Sequence, residues 1–178
     1  MKKRETNHKK KKICFAASSG GHYEQLLMLQ PLMKQYDSFI VTEKTLYNTE
    51  VKQIKSYYLH QVNRKETLFP FWLLVNSVKS LWLILKERPD FIITTGVLAM
   101  IPLCLLVKVT GGKLIYIESF AKVNSGTETG KFLYKVADQF YVQWESMTKI
   151  YPEALFCGGI YWGEKNDFGD SGITKVSV

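Results

Sequence analysis

Cysteine is scarce in this sequence. Cys14, Cys104 and Cys157 lie far apart and form no CxxC pair, which excludes a disulfide scaffold and any standard zinc spacing. Each sits in apolar company, where a free thiol behaves as a small hydrophobe. No His/Cys/Asp/Glu cluster has metal-ligand spacing, so no metal is expected. Two phosphate-binding signatures are missing as well. There is no G-x-G-x-x-G series, and no Lys-Ser/Thr follows a glycine-rich turn as in a Walker loop. The basic start is not followed by a secretory h-region, because Ile13–Ala17 is too short and runs straight into Ser18-Ser19-Gly20-Gly21. A cytosolic, reducing compartment is expected. Internal repeats and Gly- or Pro-rich linkers are absent, so one domain is expected in 178 residues.

Basic charge is plentiful but local. The net charge is +8, and residues 1–12, with seven Lys/Arg against Glu5 alone, carry +6 of it. The remaining +2 is no nucleic-acid-binding surface, and no nucleic-acid partner is expected. The chain divides into a basic tail (1–12), a folded body (13–159) and a polar, glycine-containing tail (160–178) that docks a partner or stays loose.

Apolar runs alternate with helical periodicity. Strands are expected at Ile13–Ala17, Ser38–Thr42, Ser56–Val62 (edge-like), Phe91–Thr95, Lys113–Glu118, Phe140–Gln143 and Leu155–Cys157. Helical spacing runs from His22 to Gln35 with a kink at Pro31, and a weak polar helix is expected over Leu46–Lys55. This alternation specifies an α/β fold with a doubly wound, Rossmann-like parallel sheet.

Two longer apolar stretches bear on membranes. Phe91–Val107 is uncharged, but Arg88-Pro89-Asp90 before it, the turn at Thr94-Thr95-Gly96 and Pro102 break it into strand, loop and helix. Leu68–Leu85 contains Asn76, Ser77, Lys79 and Ser80, too polar to span a bilayer. As a helix it carries two apolar faces. Phe71, Leu74, Val75, Val78, Leu81, Trp82 and Leu85 form the stripe expected to pack on the sheet. Trp72, Leu73, Leu83 and Ile84 form the face expected to contact an anionic membrane, rimmed by Arg64, Lys65, Lys86 and Arg88.

The candidate chemistry lies at strand ends. In open α/β sheets ligands gather outside the carboxyl ends of the strands. Ser18, Ser19, Gly20 and Gly21 supply hydroxyls and closely approachable backbone there, and His22 is a base candidate near neutral pH. Thr95-Gly96 and Glu118-Ser119 close two later strands, so the three turns line one edge. Glu118 is the alternative base if burial raises its pKa, or a brace for the loop.

Taken in order, Ser18-Ser19-Gly20-Gly21-His22, Pro89-Asp90…Thr95-Gly96, Ile115-Tyr116-Ile117-Glu118-Ser119-Phe120 and Ala137-Asp138-Gln139-Phe140-Tyr141-Val142-Gln143-Trp144 carry a family likeness. The chain resembles the acceptor-binding, membrane-anchoring subunit of the two-component N-acetylglucosaminyltransferase of the dolichol pathway. It is closer still to that subunit's bacterial capsule and exopolysaccharide relatives. The resemblance runs from about Ile13 to Gly159.

The resemblance implies the N-terminal half of a GT-B glycosyltransferase, similar to that of the enzyme that adds N-acetylglucosamine to the peptidoglycan lipid precursor. A separate catalytic subunit would supply the C-terminal half and bind the nucleotide sugar, leaving no cofactor on this chain. The acceptor would be an undecaprenyl-diphosphate-linked saccharide at the cytoplasmic face of the plasma membrane. Ser19, Gly20, Gly21 and His22 would face its diphosphate and sugar, with Thr95, Gly96, Glu118 and Ser119 nearby. Two departures stand out. The eukaryotic pattern has an acid three residues after the histidine, where this chain has Gln25 and places Glu24 one earlier. The basic tail stands where that pattern has a transmembrane anchor, so peripheral attachment is expected. The competing readings are a stand-alone Rossmann-type enzyme and a purely structural anchor for the catalytic subunit.

Overall fold

A computed structural model describes residues 10–45, 51, 53–63, 65–96 and 98–161. Its frame is a seven-stranded, wholly parallel sheet. The strands are β1 (Lys12–Ala17), β2 (Asp37–Glu43), β3 (Lys55–Leu59), β4 (Phe91–Thr94), β5 (Lys113–Ile117), β6 (Gln139–Val142) and β7 (Leu155–Phe156). All seven expected strands are present, each within a few residues of its predicted bounds. Parallel strands covered on both faces read as unbroken apolar runs, which is why KICFAA and KLIYI stood out.

The spatial order is β3-β2-β1-β4-β5-β6-β7. The winding therefore reverses between β1 and β4, leaving a crevice at their carboxyl ends. Helices α3 (Phe69–Glu87) and α4 (Ile101–Val109) belong to one face, where Leu83, Ile84, Leu103 and Val107 pack with Cys14, Val41 and Ile92. Helices α1 (Gly21–Leu27) and α2 (Gln30–Gln35) cover the other, where Leu26 and Met33 meet Phe15, Ile40 and Ile93. The chain does not kink at Pro31; α1 ends and α2 restarts with Pro31 in its first turn, where a missing N–H is harmless. A short α5 (Glu128–Leu133), capped by the Thr127 hydroxyl accepting from Gly130 N–H at 2.8 Å, was not apparent in the sequence. Most of the expected helix over Leu46–Lys55 and both terminal tails beyond residues 10 and 161 lie outside the described residues. Within them, the ordered packing continues past 159 to Tyr161, which seats on Phe120.

The uncharged stretch Phe91–Val107 resolves into β4, a short 3-10 turn and α4. Among the described residues, no helix is long and apolar enough to cross a membrane.

At the amino edge of the sheet, Glu87 ends α3 and ties it to two strands. Its carboxylate accepts from Lys12 Nζ at 3.0 Å, Lys55 Nζ at 2.6 Å and the Tyr57 hydroxyl. Burial pushes this carboxyl upward, but the hydrogen bonds from Lys55, Tyr57 and Lys12, with the Lys12 charge, outweigh burial and hold it at about 2. A depressed carboxyl stabilises the fold above its ordinary pKa and loses that contribution as pH falls toward the folded value. Denaturant unfolding from pH 7 to pH 2.5 should show Glu87→Gln about 1–3 kcal/mol less stable at neutral pH. The gap to the parent should narrow through the acid range.

Candidate functional site

The strongest grouping of polar residues lies at the carboxyl edge, on the crevice between β1 and β4. Gly20 caps α1 with φ 75° and ψ −144°, a region open in practice only to glycine. That turn brings His22 across the switch point. His22 Nδ1 lies 2.8 Å from the Thr95 carbonyl, while the Thr95 hydroxyl donates to the His22 carbonyl at 2.8 Å. A carbonyl only accepts, so Nδ1 carries the proton and the neutral ring keeps Nε2 as an acceptor. Burial lowers the imidazole pKa below its ordinary 6.5, partly opposed by the Thr95 hydrogen bond and the Glu118 charge. At neutral pH the ring is thus neutral, half-buried and able to take a proton at Nε2.

The other predicted residues separate into two groups. Gly20 and Gly21 are exposed and Ser19 is half-buried, so they and His22 form the accessible rim. Ser18, Thr95, Gly96 and Ser119 are buried. Thr95 spends its hydroxyl on the clasp with His22, and Gly96 adopts φ 106° with the Tyr116 hydroxyl 2.9 Å from where a Cβ would stand. These residues shape the rim from beneath.

Glu118 is fully buried, and donors surround it. Oε1 accepts from Ser119 N–H at 2.8 Å and the Thr127 hydroxyl at 2.9 Å; Oε2 accepts from the Tyr151 hydroxyl at 3.0 Å and Thr127 N–H at 3.1 Å. Of the two roles open to it in the sequence, this geometry fits the brace. Its socket needs glycine, because a Cβ on Gly130 would collide with Oε2.

Three further polar groups carry this edge. Gln25 Oε1 accepts from Phe120 N–H at 3.1 Å and from Gln143 Nε2 at 2.9 Å. Gln143 Nε2 also donates to the Glu118 carbonyl at 2.8 Å, and its Oε1 accepts from Ile160 N–H at 2.9 Å. Glu43, at the end of β2, is buried; its carboxylate accepts from Ser19 and Val62 amides, and burial raises its pKa against them. The sequence signal for Glu43 was an acid closing an apolar strand, the same signal that marked Glu118.

The membrane-contact residues need correction. Leu83 and Ile84 are each only 2 % exposed and belong to the core, and Trp72 and Leu73 are half-buried. The face of α3 turned to solvent is instead Phe71, Leu74, Val78, Leu81, Trp82 and Leu85, the stripe expected to pack on the sheet. The reversal has a polar cause. Asn76 is buried because it bonds the His60 backbone in both directions, at 2.9 and 2.8 Å, and Glu87 is buried in its ion pairs. These residues fix which side of α3 meets the sheet.

A family profile described as "Oligosaccharide biosynthesis protein Alg14 like" matches residues 60–160. The UDP-N-acetylglucosamine transferase subunit ALG14 of Rattus norvegicus is 26% identical over 177 residues, spanning 83% of this chain and 82% of the rat protein. Among solved structures, MurG of Acinetobacter baumannii superposes with TM-score 0.61 at 18% identity, over 76% of this chain and 42% of MurG. A UDP-N-acetylglucosamine 2-epimerase from Rickettsia bellii gives 0.66 at 9% identity, over 85% of this chain and 45% of the epimerase. The chain thus spans less than half of either solved structure.

The sheet has the Rossmann-like α/β fold of its structural neighbours, GT-B glycosyltransferases and epimerases. Within that class, the chain belongs to the Alg14 family.

Gly130→Ala should cost about 1–3 kcal/mol by overpacking the Glu118 socket. Gly20→Ala, where a Cβ meets nothing within 4 Å, should cost a similar amount through backbone strain alone. Pairing each with Glu118→Gln separates the two. Thermal unfolding should show coupling for the Gly130 pair and simple additivity for the Gly20 pair.

Proposed function

We propose that this chain is the acceptor-binding subunit of a two-subunit glycosyltransferase that transfers a sugar from a nucleotide sugar to a polyprenyl-diphosphate-linked saccharide. The observation that carries the reading is the His22–Thr95 clasp, which leaves an acceptor nitrogen on the rim of a single GT-B half. The relatives' printed designation as transferase subunits supports a separate partner, which binds the nucleotide sugar and supplies the second half. No cofactor is assigned to this chain.

The finer setting belongs to the same proposal. The acceptor is undecaprenyl-linked, the product belongs to capsule or exopolysaccharide synthesis, and attachment is peripheral on the cytoplasmic membrane face. Chemically, the acceptor hydroxyl attacks the anomeric carbon of the donor while His22 Nε2 takes its proton. The new glycosidic bond forms as the bond to the nucleotide diphosphate breaks. Gly20 and Gly21 leave room for the diphosphate of the acceptor, and Glu118 keeps the loop after β5 in place.

Co-expression with the partner and a transferase assay on lipid-linked acceptor test this. His22→Ala should lower turnover about 10²–10⁴-fold, the usual worth of a general base, with partner binding intact. Because burial lowers the His22 pKa, wild-type turnover should fall only on the acid side, below the ordinary histidine range. Full activity of His22→Ala would leave this chain as an anchor for a partner that does all the chemistry.

The exposed stripe on α3 is the membrane contact in this reading. Lys86 flanks it, with Nζ 4.3 Å from the centre of the Trp82 ring, and Arg88 caps the carboxyl end of the same helix. Leu74→Ser with Leu81→Ser removes two half-inserted side chains, about 1.5 kcal/mol or more together. Partitioning onto anionic vesicles should drop roughly tenfold with the unfolding midpoint unchanged. Trp72→Ser with Leu83→Ser should lower that midpoint instead.

A further inference from the structure

Phe120, after β5, and Tyr161, after β7, are aromatic residues that neither core cluster nor the proton transfer uses. Phe120 belongs to neither hydrophobic core cluster. Its ring lies 4.9 Å from that of Trp144 and 5.1 Å from that of Tyr161, which stands edge-on to it. Tyr161 is 42% exposed. Both backbone groups of Phe120 are held, the N–H by Gln25 Oε1 at 3.1 Å and the carbonyl by the Trp144 indole N–H at 2.7 Å. An aromatic residue fixed at both peptide groups on an exposed edge loop is a rigid surface rather than a filler of space.

Helix α1 adjoins this group through the Gln25–Phe120 hydrogen bond. Glu24 is exposed there, two residues from His22, and close enough to Tyr161 for its charge to raise the phenol pKa after burial has done so. Among the described residues, no ion pair occupies Glu24. The edge therefore brings a half-buried aromatic ring, an exposed phenol and an exposed carboxylate together. A pyranose offers the complement. Its axial C–H groups present a weakly positive, apolar face to an aromatic ring, and its hydroxyls donate to a carboxylate at the rim.

We infer that Phe120 and Tyr161 form a platform on which a saccharide ring of the acceptor stacks, with Glu24 accepting from its hydroxyls. This rests on the acceptor-subunit reading and assigns the sugar-binding surface within it. The platform would hold the ring beside His22 and orient the attacking hydroxyl without itself moving a proton.

The test has two arms. In the first, the isolated chain is mixed with the methyl glycosides of N-acetylglucosamine, glucose and galactose, and saturation-transfer NMR is read on the ring C–H signals. At least one sugar should receive saturation, reduced fivefold or more by Phe120→Leu or Tyr161→Leu. Tyr161→Phe should retain it, as should Phe132→Ala, a control at another exposed aromatic. No transfer to any of the three, or transfer indifferent to both leucine variants, would overturn the platform. Tyr161→Leu changes a side chain at the surface, so its reading stands even if Phe120→Leu unfolds.

The second arm uses the assembled pair. Tyr161→Leu should raise the KM for lipid-linked acceptor about tenfold with kcat within threefold. An unchanged KM with weakened subunit affinity would make these rings a partner contact and overturn the inference. An inactive wild-type pair would instead count against the acceptor-subunit reading, while the NMR arm would still decide whether the rings bind sugar.

Discussion

The side-chain amide of Gln143 is the joint on which the carboxyl edge depends. Only 1% exposed, it donates to Gln25 and to the Glu118 carbonyl and accepts from Ile160. One planar group thereby fixes α1, the end of β5 and the segment after β7 relative to β6. A buried amide is costly unless its hydrogen-bonding capacity is met. Any displacement of one of these elements would strand a donor or an acceptor, so they hold one arrangement. The clasp between His22 and Thr95 and the Glu118 socket then add detail on either side.

That arrangement divides the labour among residues that look alike in the sequence. Hydroxyls and acids at strand ends all read as candidate ligands, yet Thr95 and Glu118 are consumed by internal bonds, while His22 Nε2 has no hydrogen-bond partner among the described residues. The inward-facing groups set the rim's shape, and in the proposed reading the rim's chemistry falls to backbone, imidazole and the aromatic rings beside it. Preorganisation of this kind reduces what binding must spend on ordering loops.

The sheet was legible because its strands, buried on both faces, are uninterrupted apolar runs that end in turn residues. The location of the candidate site followed from that, since strand ends in a parallel sheet fall on one edge. What stayed hidden depends on partners distant in sequence. Helix α3 has two apolar faces, and periodicity alone cannot say which is inside. Asn76 and Glu87 decide it through His60, Lys12 and Lys55, contacts that span up to 75 positions. Likewise α5 has only six residues and contains Gly130, whose reason for being glycine is a carboxylate twelve positions earlier. A six-residue helix shows no apolar period, and nothing local marks its glycine.

Helix α3 leaves the carboxyl end of β3 and delivers the chain to the amino end of β4, so its outer ridge runs the full depth of the sheet, about 28 Å for 19 residues. A surface that touches the whole ridge must lie parallel to the strands. The opening at the carboxyl edge then faces along that surface instead of away from it. A molecule tethered in a bilayer would arrive from the side, by lateral diffusion in two dimensions, and its tail would never need to leave the lipid.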